Sequence, residues 1–180
     1  MARTLLRSRR DLRWGLGVGI GLGLICLTKG ILGLLLGAIA GLFLIWDTPR
    51  LLTSRYLWLG IAIGAVPVGL WYGAQWSHYH RLFIEAHLLN QSLVRVWGTV
   101  GNNNGPVWYY LWEILKFGFP WVLFLPQGLR LSWENRGLSW ARLALVWSGV
   151  YLLVISAMQT KLPWYALPIY PALSLMVGAQ

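Results

Sequence analysis

Six apolar stretches follow one another through this chain of 180 residues, and most of the charged residues fall between them. A helix that crosses about 30 Å of hydrocarbon needs about 20 residues, with about 17 as the lower limit. The pattern therefore predicts an all-α membrane protein, a polytopic bundle of about six transmembrane helices forming one domain over residues 1–180. The six stretches are Trp14–Thr28, Ile31–Trp46, Tyr56–Gln75, Val107–Pro126, Ala141–Met158 and Pro163–Ala179.

The composition agrees with a lipid environment. Only 11% of the residues are charged, whereas soluble domains carry roughly 25%. The 13 tryptophans add to this, because indole rings favour the boundary between headgroups and hydrocarbon. The net charge of +10 is scattered between apolar runs and forms no single basic face, so we expect no nucleic-acid partner.

The first two apolar stretches are short and are separated only by Lys29 and Gly30. They could be two helices that meet at a tight outer turn, or one long helix broken at Lys29. One unbroken span would place the lysine near the middle of the bilayer, at a cost of a few kcal/mol. We therefore favour two helices, which let the ammonium reach the interface.

The distribution of basic residues predicts the topology, because cytoplasmic segments of membrane proteins are enriched in Lys and Arg. With the amino terminus in the cytoplasm, ten basic residues lie inside and five outside. Residues 76–106 then form a large non-cytoplasmic loop of a multi-pass protein of the cell membrane. The five outer cations are Lys29, Arg81, Arg95, Lys116 and Lys161.

Glycines recur at intervals of four in the first two stretches, at Gly15, Gly19 and Gly23 and again at Gly33, Gly37 and Gly41. Small residues four apart lie on one helical face and let membrane helices approach closely. The alternating glycines do not fit a dinucleotide-binding fingerprint, because no strand precedes them and no acid follows until Asp47. We predict that both sets serve helix packing.

The predicted outer loop combines polar residues with apolar residues at helical spacing, including Leu82, Phe83 and Leu88, and this favours an amphipathic helix on the outer surface. Its histidines raise the possibility of a metal site. Histidines two apart do not share a helix face, and no cysteine or second acid completes a set. We therefore predict no metal site and no cofactor, although a divalent metal remains open. The histidines are His78, His80 and His87.

Two outer cations stand in settings that suit an anion. The guanidinium of Arg95 matches the geometry of a phosphate, although it could instead contact lipid headgroups or pair with Glu85. Lys161 begins a proline-rich segment in which Pro168 and Pro171 should break the helix. Broken membrane helices occur where they line a cavity, so Lys161 is a candidate anion contact, with a snorkelling lysine as the alternative. Further along the outer side, Glu113 and Lys116 are spaced to form a pair.

Three motifs occur in an order that resembles a known family. Leu27–Gly30 comes first, Arg95 precedes Trp108–Leu111 and Pro120–Trp121, and Thr160–Tyr165 comes last, followed by Leu167 and Pro168. The set resembles membrane glycosyltransferases that use polyprenyl-phosphate sugars, in particular aminoarabinose transferases acting on lipid A and bacterial relatives of the protein mannosyltransferases. The segment Pro126–Arg130 looks like cyanobacterial members.

The resemblance implies part of a GT-C fold, with an active site on the non-cytoplasmic face. It implies transfer of a sugar from a polyprenyl-phosphate donor to a lipid or protein acceptor, in contact with membrane lipids. Carried over motif by motif, Lys29, Arg95 and Lys161 would hold the lipid phosphate, while Tyr109 and Tyr165 would line the donor groove.

One departure from the family concerns the general base. These enzymes carry an acidic residue in a first outer loop near their amino terminus, and that region is absent here. Glu85 is the only acid of the predicted outer loop and does not match the family's base. We therefore expect a fragment or half of a split gene product, and we expect the chain to be inactive by itself.

Two other classes of function remain open at this point. Glycine-rich, proline-broken helices also suit a transporter or channel subunit. A transporter would more often place ionisable residues within its spans, whereas here they cluster at the outer ends. The third hypothesis is a membrane assembly protein without catalytic activity.

Overall fold

The computed structural model describes residues 2–83, 85, 98 and 103–180, and within these ranges the side chains of residues 2–10, 29, 31 and 32 are not described. The described residues form helices and no β-strands, which confirms the predicted all-α class. The chain divides into two compact units, Met1–Ile84 and Glu85–Gln180. The predicted single domain over residues 1–180 stays a prediction.

The first unit consists of three long helices and two short helical segments. Helix α1 spans Ala2–Lys29, α2 spans Ile31–Asp47 and α3 spans Arg55–Tyr79. A 3₁₀ segment, Pro49–Thr53, connects α2 to α3, and a short helical turn, Arg81–Phe83, follows α3. Helix α3 thus extends into the first residues of the predicted outer loop. The rest of the predicted amphipathic helix lies outside the described residues, apart from Glu85 and Gly98.

A tight turn at Gly30 separates α1 from α2, as predicted. Gly30 has φ 56°, a left-handed conformation that a residue without Cβ adopts at little cost. Its N–H donates to the Cys26 carbonyl at 2.9 Å, and the Gly33 N–H donates to the Gly30 carbonyl at 2.9 Å. Lys29 is therefore the last residue of α1, and the alternative of one long helix is wrong.

The glycines of α1 pack directly against α3. A Cβ added to Gly19 would lie 1.9 Å from the carbonyl carbon of Gly60, and one added to Gly23 would lie 2.3 Å from the carbonyl oxygen of Gly64. Gly15 meets the backbone of Tyr56 in the same way, at 2.6 Å. The contact positions increase together along both helices, so α1 and α3 run parallel. This confirms the predicted packing role of the first glycine set.

The second glycine set behaves less uniformly. A Cβ on Gly33 would lie 2.9 Å from the Cα of Cys26, so the two helices approach closely beside their turn. A Cβ on Gly37 would meet only Leu22, at an ordinary 3.6 Å, and one on Gly41 would meet nothing within 4 Å. Close packing is therefore confirmed for Gly33 and not for Gly41, because α1 and α2 diverge away from the turn.

The described residues of the second unit form four α-helices and two 3₁₀ segments. Helix α4 spans Tyr109–Phe117, α5 spans Leu125–Glu134, α6 spans Ser139–Ala157 and α7 spans Tyr170–Gly178. The 3₁₀ segment Trp121–Phe124 precedes α5, and the 3₁₀ segment Pro163–Ile169 precedes α7. Helices α5, α6 and α7 pack against one another. Fully buried side chains fill their core, including Ala141, Ala144, Tyr151, Ile155 and Met176.

Three described helices are long and apolar enough to cross a membrane: Asp11–Thr28 within α1, Arg55–Tyr79 and Ser139–Ala157. A shorter apolar helix covers Gly33–Asp47. The remaining two predicted stretches are not continuous α-helices in the structure. The stretch 107–126 is interrupted after Phe117, and the stretch 163–179 begins as a 3₁₀ segment. Proline causes both differences, because a proline inside a helix lacks the N–H that a helical bond requires.

We predict that Gly19→Ala weakens the association of α1 with α3. The new methyl group would overlap the Gly60 backbone, which cannot move aside as a side chain could, so we expect a loss of about 1–3 kcal/mol in unfolding free energy. Thermal unfolding in detergent, followed by tryptophan fluorescence, measures the change. Gly17→Ala is the matched control, since a Cβ there meets nothing within 4 Å. Equal melting temperatures for the two variants would contradict the assigned packing.

Candidate functional site around Lys161

The candidate site lies where the chain leaves α6 and enters the proline-rich segment that begins at Lys161. Helix α6 ends at Ala157, and Leu162 is extended, with φ −125° and ψ 130°. A residue before proline is driven out of the helical region by contact with the proline ring, so Pro163 keeps this connection open. We call Gly105, Tyr109, Tyr110 and the connecting residues Thr160–Leu162 the Lys161 cluster.

The ammonium of Lys161 is buried against the end of α6. Lys161 is only 4% exposed, and its Nζ donates to the carbonyls of Ile155, at 3.2 Å, and Ser156. The last carbonyls of a helix have no intrahelical partner and carry partial negative charge. Lys161 therefore caps the carboxyl end of α6. Burial lowers the pKa of Lys161, because removal from water disfavours the charged form.

The Lys161 cluster also joins the chain before α4 to the chain after α6. The Lys161 N–H donates to the Asn103 carbonyl at 2.8 Å, and the Thr160 hydroxyl donates to the Gly98 carbonyl at 2.9 Å. The Leu162 N–H donates to the hydroxyl of Tyr110 at 3.2 Å. Hydrogen bonds across about 60 residues of sequence thus hold the described end of the predicted outer loop beside α6.

Aromatic rings complete the cluster. The Nζ of Lys161 lies 5.4 Å from the ring centroid of Tyr110, within the range of a cation–π contact. The Tyr109 ring stands edge-on to Tyr110, with centroids 5.1 Å apart. Tyr109 and Tyr165 are both partly buried, and the Tyr165 N–H donates to the Leu162 carbonyl at 3.0 Å. The two tyrosines predicted to line a donor groove therefore flank the same connection.

The three predicted phosphate ligands differ in what the structure shows. Lys161 faces helix carbonyls, and its burial rules out the snorkelling alternative. Lys29 ends α1 in the other unit, and its side chain is not described. Arg95 lies outside the described residues. That the three cations share one phosphate stays a prediction.

Sequence reasoning missed the burial of Glu113. It is 7% exposed. Its carboxylate accepts a hydrogen bond from the Tyr109 hydroxyl and lies near Tyr170, while its Oε2 has no hydrogen-bond partner. The predicted pair with Lys116 is wrong: the salt bridges among the described residues join Arg50 to Asp11 and Arg130 to Glu134. Lys116 is exposed. The spacing of Tyr110, Glu113 and Ile114 on one helical face was the available signal.

Beside Glu113, an apolar groove of about 360 Å³ runs between α4 and α7. Phe117, Trp121, Val122 and Val177 line it, and Tyr170 supplies a hydroxyl. Such a surface can take an apolar chain rather than a sugar or a phosphate.

For metals, the described residues contain no group of three His, Cys, Asp or Glu side chains that could hold an ion. His78 and His80 are exposed, and His87 lies outside the described ranges.

Comparison with known proteins found relatives along nearly the whole chain, while no protein-family model matches it. The undecaprenyl phosphate-alpha-4-amino-4-deoxy-L-arabinose arabinosyl transferase 1 of Pseudomonas fluorescens is 31% identical over 172 residues, which are 93% of this chain and 30% of that protein. The corresponding transferase of Pectobacterium carotovorum is 31% identical over 189 residues, covering 98% and 32%. This chain is a relative of the aminoarabinose transferases. The family resemblance predicted from its motifs is thereby confirmed.

A solved structure agrees with this relationship. The crystal structure of ArnT from Cupriavidus metallidurans bound to undecaprenyl phosphate has a TM-score of 0.77, at 23% identity, over 95% of this chain and 31% of ArnT. The chain therefore has the fold of part of a GT-C membrane protein. Its three long apolar helices, together with its relationship to the aminoarabinose transferases, indicate a protein of the cell membrane. It spans about a third of the length of the aminoarabinose transferases it matches. The predicted sidedness of its termini and loop stays a prediction.

We predict that Glu113→Gln raises the stability of the protein at neutral pH. A buried carboxylate oxygen without a partner costs more than a neutral amide of the same shape, and the difference is about 1 kcal/mol or more. Thermal unfolding in detergent should show a higher midpoint. Glu134→Gln is the control on an exposed acid, where the loss of a surface ion pair changes stability by less than about 1 kcal/mol. A lower midpoint for Glu113→Gln would contradict the prediction and would show that the bond with Tyr109 outweighs the unpartnered oxygen.

Proposed function

We propose that this chain takes part in transferring a sugar from a polyprenyl-phosphate donor to a lipid acceptor on the non-cytoplasmic side of the cell membrane. The observation that carries the proposal is its continuous similarity to aminoarabinose transferases over 93% and 98% of its length. The ordered motifs that contain Lys29, Arg95 and Lys161 resemble the same family. A protein acceptor is the alternative within the same reaction class.

The chemistry of such a transfer explains why cations are needed. The bond between the sugar and the phosphate oxygen breaks while an acceptor oxygen forms a new bond to the same sugar carbon. The polyprenyl phosphate leaves with increased negative charge, and cations fixed in position stabilise that charge as it develops. Arginine is well suited, because its planar donors can form two parallel bonds to a phosphate.

Within this reaction we propose that Arg95 and Lys29 contact the lipid phosphate and that Tyr109 and Tyr165 line the donor groove. Arg95 is only three residues before Gly98, whose carbonyl accepts the Thr160 hydroxyl. Lys161 was predicted as a third phosphate ligand, and the bonds of its ammonium to helix carbonyls favour a different role.

The competing functions have less support. A transporter or channel subunit and an assembly protein were both compatible with glycine-rich, proline-broken helices. Gly15, Gly19 and Gly23 of α1 are occupied by contacts with α3, so they need no transport role. The similarity to transferases extends along nearly the whole chain and favours the sugar transfer.

We predict that Arg95→Ala weakens the binding of a polyprenyl phosphate to the full-length protein by about tenfold to a hundredfold, since a hydrogen bond to a charged group contributes about 1.5–3 kcal/mol. Equilibrium binding of a radiolabelled polyprenyl phosphate in detergent micelles measures this, with the uncharged polyprenol as the reference ligand. Arg81→Ala is the matched control, because Arg81 is an exposed arginine of the same predicted loop. If wild type and Arg95→Ala bind the phosphate equally well, the assigned role of Arg95 is refuted.

A further inference from the structure

We propose that Lys161 is a positioning residue, which fixes the Tyr109–Tyr110 pair against the end of α6 and does not touch the lipid phosphate. The inference concerns the donor groove and therefore rests on the proposed function for its consequence in binding. Its structural part, the capping of α6, stands independently. Three sets of contacts carry it.

The first is the environment of the ammonium. A lysine that is 4% exposed must recover the hydration it has lost, and the carbonyls of Ile155 and Ser156 provide two acceptors. Cations at a helix carboxyl end are also favoured by the helix dipole. To reach a phosphate, the ammonium would have to abandon both carbonyls, and these would then be left without partners.

The second is the packing of the lysine stem. Gly105 lies between Lys161 and Tyr109: a Cβ at position 105 would be 3.2 Å from the Cγ of Lys161 and 3.3 Å from the Cδ2 of Tyr109. Both distances are tighter than ordinary van der Waals contact, so a side chain at position 105 would press on the stem and on the ring. The Lys161 stem and the Tyr109 ring therefore both pack on the same glycine.

The third set consists of the contacts of Tyr110. This side chain is fully buried, its ring lies under the Lys161 ammonium, and its hydroxyl accepts the N–H of Leu162. The Lys161 backbone is itself held by Asn103. Both tyrosines lie at the amino end of α4. That end is held by the Lys161 ammonium, which lies over the Tyr110 ring, and by the Leu162 N–H, which donates to the Tyr110 hydroxyl.

A double-mutant cycle in the full-length protein separates positioning from direct contact. Two residues that contact the same ligand independently give losses that multiply, whereas a residue that acts through another gives losses that do not. We expect Lys161→Met and Tyr109→Ala each to raise the dissociation constant for radiolabelled polyprenyl phosphate about tenfold. The dissociation constant of the double variant should be no more than about twofold above that of the weaker-binding single variant. Losses that multiply to about a hundredfold, or an unchanged constant in Lys161→Met, would overturn the proposal.

Two further variants sharpen the result. Lys161→Arg should bind the lipid as poorly as Lys161→Met, because a buried cap has no room for a guanidinium, whereas a direct phosphate ligand would tolerate arginine. Gly105→Ala should weaken binding without any change of charge, by displacing the stem or the ring. Lys116→Met is the control, an exposed lysine of the same unit, and should bind as wild type does. Full binding by Lys161→Arg would favour direct contact and defeat the inference.

Amide hydrogen exchange supplies a readout that needs no lipid. Removal of the cap should let the last turn of α6 open more often, so we expect exchange at residues 155–158 to be about fivefold faster in Lys161→Met, the change that corresponds to about 1 kcal/mol. The Lys116→Met control should exchange as wild type does. Unchanged exchange in Lys161→Met would show that the lysine does not cap α6. Normal lipid binding by Arg95→Ala, with faster exchange in Lys161→Met, would instead refute the proposed phosphate site while leaving the cap intact.

Discussion

A backbone carbonyl in a membrane protein needs a partner from the protein itself, because hydrocarbon offers none. At the end of α6 no following helical turn supplies these partners, because the chain is extended at Leu162 and then enters a segment with three prolines. The ammonium of Lys161 meets it instead. The same lysine then holds the Asn103 backbone and the Tyr110 ring, so the site is organised around one helix end.

The first unit meets the demand for close packing in another way. There is little hydrophobic driving force between helices that are already surrounded by lipid, so contact area and the approach of backbones decide their association. In α1 and α3 glycine faces glycine, at positions 19 with 60 and 23 with 64. The two units are thus stabilised in different ways. In the first, glycines let two helix backbones touch, and in the second, the long side chain of a buried lysine bonds the end of a helix.

The relationship to aminoarabinose transferases gives these features a common context. A lipid-linked sugar must present its phosphate at the membrane surface while its chain stays in hydrocarbon, so such an enzyme needs a polar rim above apolar helices. The second unit contains both kinds of feature, a polar cluster around the buried Lys161 and an apolar groove between α4 and α7. Glu113 adds a buried acid that interacts with Tyr109.

The amino-acid sequence by itself determined the helical class, the turn after Lys29, the packing face of α1 and the family, because these follow from local periodicity, from the cost of a charge in hydrocarbon and from ordered motifs. It also identified Lys161 as unusual. It did not determine what the Lys161 ammonium binds, which glycines of α3 face α1, or that Glu113 is buried without an ion pair to Lys116. Those outcomes depend on contacts between segments up to about 60 residues apart, and only the tertiary structure decides which helix end, ring or backbone a side chain meets there.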